Sequence, residues 1–356
     1  GCILAFGAEQ VEPRHWPFEP HEIAVSPEHA ARAESLLGAL GAGEGYCLWF
    51  GADDLPLLEA VVMGSQLQLI VVDGDAARVE RLRRRFDGAG LYGRRLMVVR
   101  GEPLSFGAPP YIAVAIVVAA SALATWSDDQ ALATAYQSLR PYGGTMWIAA
   151  PTPEAEALRR RVAGLDLEGA SVRLGNGGVL VTRAGPLDGA APWTHAYGDV
   201  ANTVKSNDRR VRLPLGVLWF GGNSNADVLP RHGHGPCPQV IGGRLFIEGI
   251  NCLSARDVYT GRVLWRRQFD DLGTMNVYYD ASYADTPLST AYNQAHIPGA
   301  NARGTNFVAT AEGVYLAVGD RCLLLDAATG ETLRQFELPA EADRRRQWGF
   351  IGVYEG

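Results

Sequence analysis

The sequence predicts two architectures in one chain, a doubly wound α/β sheet followed by an all-β part. Apolar strands alternate with amphipathic helices from about residue 26 to residue 150, and this alternation favours parallel strands joined by right-handed crossovers. An antiparallel hairpin is expected to close the sheet near residue 183. After residue 193 a unit of short strands and turns occurs twice, which is typical of a repeat protein.

Composition limits the classes of protein to which the chain can belong. It has 356 residues, of which 47% are hydrophobic and 20% are charged, with a net charge of −7. This length allows two or three domains with full cores, and the acidic balance supplies no basic face for a nucleic acid. Lys205 is the only lysine among 32 basic residues, and it lies outside any Gly-Lys-Ser/Thr motif. P-loop phosphate binding is therefore excluded, and Schiff-base chemistry is not expected.

Each element of the α/β part has its own sequence signal. Ser26 followed by Pro27 is typical of a helix start, because serine caps free amides and proline fits the first turn; this helix is expected to end near Leu40. Asp75 is expected to cap a helix whose apolar side chains recur at helical spacing. The other elements are expected in this order: strand 46–50, helix 57–63, strand 67–72, strand 95–99, strand 111–119, helix 129–139 and strand 145–149.

The end of the α/β part is marked by a change in pattern. Residues 171–174 and 179–183 read as two strands around a Gly-Asn-Gly-Gly turn, which predicts an antiparallel hairpin. The longest apolar run is centred on residues 111–119, well short of the ~20 residues that a membrane-spanning helix needs. No transmembrane segment is therefore expected.

We divide the chain into four parts on these signals. An irregular segment (1–25) precedes the α/β domain (26–183), a linker rich in Gly, Pro and Ala follows (184–192), and the β part occupies 193–356. We expect Trp193 to be packed, and His195 to lie close to the β part.

The β part contains an internal repeat. The motif Asp-x-x-Thr-Gly occurs at residues 257–261 and again at 326–330, 69 residues further on. Propellers need about four to eight blades, and this length holds two and a fraction. The expectation is therefore an incomplete propeller, with the remaining blades beyond Gly356 in a longer protein.

Residues 28–183 resemble the class I S-adenosylmethionine-dependent methyltransferases, which have a Rossmann-like fold. The resemblance is carried by a turn at Gly51 after the first strand, an acid (Asp73) at the end of the second strand, and the closing hairpin. It implies S-adenosylmethionine as cofactor, with the Gly51 backbone near its methionine part and Asp73 on its ribose hydroxyls. It also implies that Glu102, after the third strand, contacts the adenine amine.

The glycine turn departs from the family pattern. In place of Gly-x-Gly-x-Gly the sequence has Gly-Ala-Asp-Asp-Leu at residues 51–55. Asp53 places a carboxylate near the expected position of the cofactor's carboxylate, unless it turns to meet the cofactor's ammonium group. We therefore keep Asp53 as a candidate cofactor-binding residue and expect weak binding, on the order of millimolar. No methyl-acceptor motif follows the fourth strand, so no catalytic residue is assigned.

Residues 255–265 resemble the repeats of pyrroloquinoline-quinone (PQQ)-type, or quinoprotein-like, β-propellers. They match the signature Ala-x-Asp-x-x-Thr-Gly-x-x-x-Trp, in which the aspartate and Thr-Gly close a turn and the tryptophan packs between blades. In the second copy Arg334 occupies the tryptophan position. The vicinal cysteine pair of quinone-dependent dehydrogenases is absent from the sequence, so PQQ is not supported as a cofactor.

The combination of the two parts resembles large planctomycete-type bacterial proteins in which a methyltransferase-like domain precedes quinoprotein-like repeats. The propeller resemblance implies a periplasmic or exported location, and a protein or cell-envelope ligand as partner. His232 and His234 alternate and could join His195 around a metal, but glycines flank His234 and favour a loop. No metal site is expected.

Two functions remain open from the sequence. The first is a methyltransferase-like protein that binds S-adenosylmethionine, with weakened or lost transferase activity. The second is a non-catalytic binding or scaffold protein of the cell envelope that uses its propeller for recognition. The altered glycine turn favours the second function, and the acid at Asp73 favours the first.

Overall fold

The computed structural model has an α/β part and a β part. It describes residues 7, 17–126, 129–221, 227–228, 237–272, 306–339, 348 and 351–354. The helices are α1 (Pro27–Leu40), α2 (Leu55–Gly64), α3 (Ala76–Gly88), α4 (Pro103–Phe106), α5 (Ala120–Thr125), α6 (Asp129–Gln137) and α7 (Thr152–Ala163). The strands of the α/β part are β1 (Glu44–Phe50), β2 (Gln66–Asp73), β3 (Leu96–Arg100), β4 (Ala113–Val118), β5 (Gly144–Ala149), β6 (Ala170–Gly175) and β7 (Gly178–Arg183).

These seven strands form one mixed sheet in the order β3-β2-β1-β4-β5-β7-β6. Strands β1 to β5 pair in parallel, whereas β7 is antiparallel to both β5 and β6. Apolar clusters cover both faces of the sheet, as a doubly wound fold requires. The Rossmann-like fold and the closing hairpin predicted from the sequence are confirmed.

The helix starts follow the capping signals. The Ser26 hydroxyl accepts the amide of His29 at 3.3 Å, and the Asp75 carboxylate accepts the amides of Ala77 and Arg78. Several boundaries differ from the expectation by one or two residues, and one of them bears on the glycine turn: α2 begins at Leu55, because the Asp54 carboxylate caps it. Leu55 therefore belongs to the helix and not to the turn after β1.

The described residues of the β part form two four-stranded antiparallel sheets, with the orders β11-β10-β9-β8 and β12-β13-β14-β15. Their strands are β8 (Gln239–Ile241), β9 (Arg244–Gly249), β10 (Cys252–Asp257), β11 (Val263–Gln268), β12 (Phe307–Ala309), β13 (Val314–Val318), β14 (Arg321–Leu325) and β15 (Thr332–Glu337). The predicted repeat is present as these two sheets. A closed propeller is not seen in the described residues.

The two antiparallel sheets are joined through side chains of their first and last strands. The Gln239 amide on β8 donates to the carbonyl of Phe307 at 2.7 Å and accepts the amide of Ala309 at 2.6 Å, both on β12. Trp265 on β11 packs over Gly330 of the next sheet and donates its indole N–H to Ala327 at 3.1 Å. Trp265 therefore lies between the two sheets, where the repeat signature placed it.

The first residues after the linker contact the β part. Trp193 is half-buried and pairs with Val240 of β8, and the buried His195 accepts the amide of Val353 on Nε2 at 3.2 Å. The prediction that His195 lies with the β part is confirmed. Burial lowers the pKa of His195, because desolvation disfavours the imidazolium. Within the described ranges, no helix has the length and apolar character to cross a membrane.

Candidate functional site

A crevice opens at the carboxyl ends of β1, β2 and β3, next to the start of α5. Its volume is about 440 Å³. The sheet order reverses between β1 and β4, and open α/β sheets bind ligands at such a switch point. Gly51, Asp73 and Glu102 all line this crevice, so the structure brings together three of the four candidate residues.

Gly51 forms a turn that only glycine fits. Its φ of +80° lies in the left-handed region, which other residues rarely adopt. A Cβ atom at this position would lie 2.9 Å from Ser121 Oγ and 3.0 Å from Ala122 Cβ. The turn therefore packs closely against the first turn of α5, which forms one wall of the crevice.

Asp53 lies at the edge of the crevice rather than in its lining. Its side chain is exposed, and one carboxylate oxygen accepts the hydroxyl hydrogen of Ser121, which does line the crevice. The neighbouring Asp54 forms an ion pair with Arg32 at 2.6 Å in addition to capping α2. Asp53, at the second glycine position of the Gly-x-Gly-x-Gly pattern, thus fastens the turn to α5, and Asp54 fastens it to α1 and α2.

Asp73 is the most constrained of the candidate residues. It is 4% exposed, and its carboxylate accepts three hydrogen bonds. Oδ1 accepts the amide of Asp75 at 2.8 Å, and Oδ2 accepts both the amide of Ala52 and Nη1 of Arg78, each at 2.8 Å. A carboxylate oxygen has two acceptor positions, so one position remains on Oδ1 and none on Oδ2. A ribose diol that needs both oxygens must therefore displace Arg78.

The sequence analysis did not identify Arg78 as a residue of this site. Arg78 lies in the first turn of α3, five residues after Asp73, and its side chain is 29% exposed. The hydrogen bond to Asp73 raises the pKa of the guanidinium. The signal that could have indicated this pairing is a basic residue in the first turn of the helix that follows the acid at the strand end.

Glu102 has a freer carboxylate. The residue precedes α4, and its amide donates to Ser105 Oγ at 3.0 Å. Its side chain is exposed in the crevice and faces Gly74, with Oε1 3.9 Å from the position of a Cβ on that glycine. No ion pair holds the Glu102 carboxylate within the part of the chain that the structure describes.

The crevice offers few groups for proton transfer. Its ionisable lining consists of Asp73, Asp75, Arg78 and Glu102. The Asp75 carboxylate caps α3, and the backbone bonds to it lower its pKa. The carboxylates of Asp73 and Asp75 both accept hydrogen bonds from neighbouring backbone amides. Glu102 is therefore the lining carboxylate best able to bind a ligand.

Of the three histidines considered as metal ligands, His195 lies in the described part of the chain. His195 binds the backbone at Val353, and His232 and His234 lie outside the described residues. Within the described ranges, no group of three His, Cys, Asp or Glu side chains has an arrangement that could hold a metal ion.

Comparisons with known proteins give similarities for the α/β part alone. No family model and no curated protein matches the chain. A structure from Methanococcus maripaludis, assigned as an S-adenosyl-L-methionine-dependent methyltransferase, is 18% identical, with a TM-score of 0.37, over 44% of this chain and 85% of that one. A SAM-dependent methyltransferase from Aquifex aeolicus is 15% identical, with a TM-score of 0.35, over 44% of this chain and 91% of that one. A geranyl diphosphate methyltransferase in complex with SAM is 16% identical, with a TM-score of 0.33, over 41% and 66%.

Proposed function

We propose that the crevice binds S-adenosylmethionine weakly, and that Arg78 competes with the cofactor for Asp73. The observation that carries the proposal is the convergence of Gly51, Asp73 and Glu102 on one cavity at the switch point of the sheet. A volume of about 440 Å³ is within the range of small-molecule sites.

The residues fit the cofactor once the Arg78 side chain moves. Asp73 would then accept the ribose hydroxyls, Glu102 would accept the adenine amine, and the Gly51 turn would lie along the methionine part. Arg78 is on the surface side of α3, so its side chain can turn to solvent without a change in the helix. When bound, S-adenosylmethionine supplies an electrophilic methyl group.

Displacing Arg78 from Asp73 costs free energy and so lowers the affinity for the cofactor. Releasing a charged hydrogen bond of this kind costs about 1–2 kcal/mol when one partner is partly exposed, which is roughly a tenfold loss in affinity. The ammonium group of the cofactor would meet the exposed carboxylate of Asp53 if the latter leaves Ser121. Both steps make binding weaker than in a site whose carboxylates are free.

A non-catalytic binding protein is the second candidate function. It is favoured by one observation: among the described residues, the lining carboxylates other than Glu102 are engaged in backbone and arginine contacts, which leaves few groups in the crevice for proton transfer. In that case the chain would act through its β part, with a protein or cell-envelope ligand as partner.

Isothermal titration of the full chain with S-adenosylmethionine tests the first proposal. We expect wild-type binding on the order of millimolar, and about tenfold tighter binding by Arg78→Ala. Asp73→Asn should abolish binding, because the amide cannot accept both hydroxyls. Arg84→Ala is the matched control: Arg84 lies on the same helix, and its side chain is 79% exposed.

Two outcomes would contradict the proposal. One is binding that Asp73→Asn leaves unchanged, which would place the cofactor elsewhere. The other is an absence of binding by both the wild type and Arg78→Ala, which would favour the non-catalytic function.

A further inference from the structure

A second and larger cavity lies between the α/β part and the β part. It has a volume of about 880 Å³ and is bounded on one side by the irregular segment 208–218. Most of its wall is apolar and includes Leu187, Leu218, Val240 and Val258. Cavities of this size at a junction between domains, with apolar walls and a few polar groups, are typical ligand sites.

One end of this cavity is rich in charged side chains. Arg210 and Arg212 line it, and both also line an adjoining polar cavity of about 550 Å³ together with Arg209, Asp188 and Gly189. The apolar cavity therefore opens toward a cluster of three arginines. Nothing in the methyltransferase-like or repeat signals of the sequence uses these residues.

Two of the three arginines at this end form no ion pair with a described carboxylate, although Asp188 and Asp208 also lie there. Arg210 binds Glu168, with N–O distances of 3.0 and 3.3 Å, so this arginine already has a partner. The Asp208 carboxylate accepts backbone amides, among them that of Val211 at 2.8 Å. In the portion of the chain that is described, no carboxylate forms an ion pair with Arg209 or Arg212.

We propose that this cavity binds an amphiphile with an apolar body and a single anionic group, a carboxylate or a phosphate. The apolar body lies against the wall formed by Leu187, Val240 and Val258, and the anionic group binds Arg209 and Arg212. The basis is charge complementarity: two unpaired guanidinium groups at the mouth of an apolar cavity select an anion, and arginine binds both anions through paired N–H donors. The proposal is independent of the crevice at Asp73.

The test is displacement of dansyl-labelled undecanoic acid from the full chain by dodecanoate, dodecyl phosphate and dodecanol. We expect both anions to displace the probe and dodecanol to be at least about tenfold weaker, because it lacks the charge-assisted bonds. Arg212→Gln should weaken dodecanoate about tenfold and leave dodecanol unchanged. Arg160→Gln is the control, since Arg160 is 71% exposed on α7.

A cavity-filling variant tests the location. Ala190 lines the cavity, and Ala190→Trp should weaken all three ligands together. If that variant loses its circular dichroism spectrum, the ratio of dodecanoate to dodecanol affinity in Arg212→Gln still tests the proposal within one folded protein.

Three results would overturn the proposal. They are equal affinity for dodecanol and dodecanoate, no displacement of the probe by any of the three, and co-sedimentation with phosphatidylglycerol vesicles without binding of the monomeric amphiphiles. The last result would assign the arginines to a membrane surface.

Discussion

Glu248 is a carboxyl group buried inside the β part, and it illustrates the cost of an incompletely paired polar group. It is 3% exposed, Oε1 accepts the side-chain amide of Asn306, and Oε2 has no hydrogen-bond partner. Asn306 Oδ1 is also without a partner. Burial raises the pKa of Glu248 to about 8, because the charged form is poorly solvated there.

This shift predicts how stability depends on pH. The unfolded carboxyl has its ordinary pKa of about 4.5, so from about pH 5 to about pH 8 the folded state holds a proton that the unfolded state releases. The stability that this group contributes is present below the unfolded pKa and is lost as the pH rises to the folded pKa. Urea denaturation at a series of pH values should therefore show a fall in the free energy of unfolding, by about 1 kcal/mol per unit or more at the steepest part.

Glu248→Gln should remove this pH dependence. The glutamine cannot ionise, and its amide can donate to the unpaired Asn306 Oδ1, so the variant should be the more stable protein near pH 8. Glu312→Gln is the control, because Glu312 is exposed. Equal slopes for wild type and Glu248→Gln would show that Glu248 does not carry the effect.

At the scale of elements, each of the two Asp-x-x-Thr-Gly turns is covered by a tryptophan in the same way. Trp265 donates to Ala327 and packs over Gly330, and Trp219 likewise donates to the carbonyl of Val258 at 2.9 Å and packs over Gly261. Trp219 therefore makes the same contact with the first Asp-x-x-Thr-Gly turn that Trp265 makes with the second. The repeat thus extends to Trp219, ahead of the first complete sheet.

This contact can be tested with two glycines that have the same backbone strain. Gly330 (φ +75°) and Gly319 (φ +62°) both lie in the left-handed region, but an added Cβ would lie 2.7 Å from Trp265 at Gly330 and would meet nothing within 4 Å at Gly319. Gly319→Ala should cost about 1 kcal/mol, and Gly330→Ala at least about 1 kcal/mol more. Equal losses in thermal denaturation would mean that the indole gives way easily.

At the scale of the whole molecule, a buried ion pair joins the α/β part to the β part. Arg140, three residues after the end of α6, binds Asp257 of the first Asp-x-x-Thr-Gly turn, with side chains 12% and 3% exposed. Asp257 also accepts the amides of Tyr259 and Thr260, and so closes its turn with one oxygen and holds the other part of the molecule with the second. A turn residue of the repeat thus doubles as the docking point for Arg140.

Arg140→Met should therefore uncouple the two parts. It leaves the Asp257 carboxylate buried without its cation, at a cost of about 3 kcal/mol, and keeps an unbranched side chain that replaces the aliphatic part of the arginine. In differential scanning calorimetry we expect a lower and broader transition that separates into two. Arg160→Met, at an exposed position, should leave the thermogram unchanged; a single unshifted transition in Arg140→Met would contradict the docking role.

Local signals in the sequence determined the elements and their order. Caps at Ser26 and Asp75, the turn at Gly51, and the hairpin at 171–183 act within one or two turns of the chain, so their outcome does not depend on distant residues. Helix α7 was missing from the prediction, although its buried side chains recur at helical spacing, and the four-residue α4 is too short for periodicity to show. The position of Asp73 at the strand end, beside Gly51, likewise followed from the parallel pairing of β1 and β2.

Only the tertiary structure decided what the candidate side chains bind. Asp53 meets Ser121 across 68 residues and Arg140 meets Asp257 across 117, and the sequence holds no local signal for either pair. Arg78 is close to Asp73 along the chain, yet whether it turns to the carboxylate or to solvent depends on the packing of α3 against β2. The sequence therefore determined where the candidate site lies, whereas the side-chain partners, which would set its affinity for a ligand, depended on long-range packing.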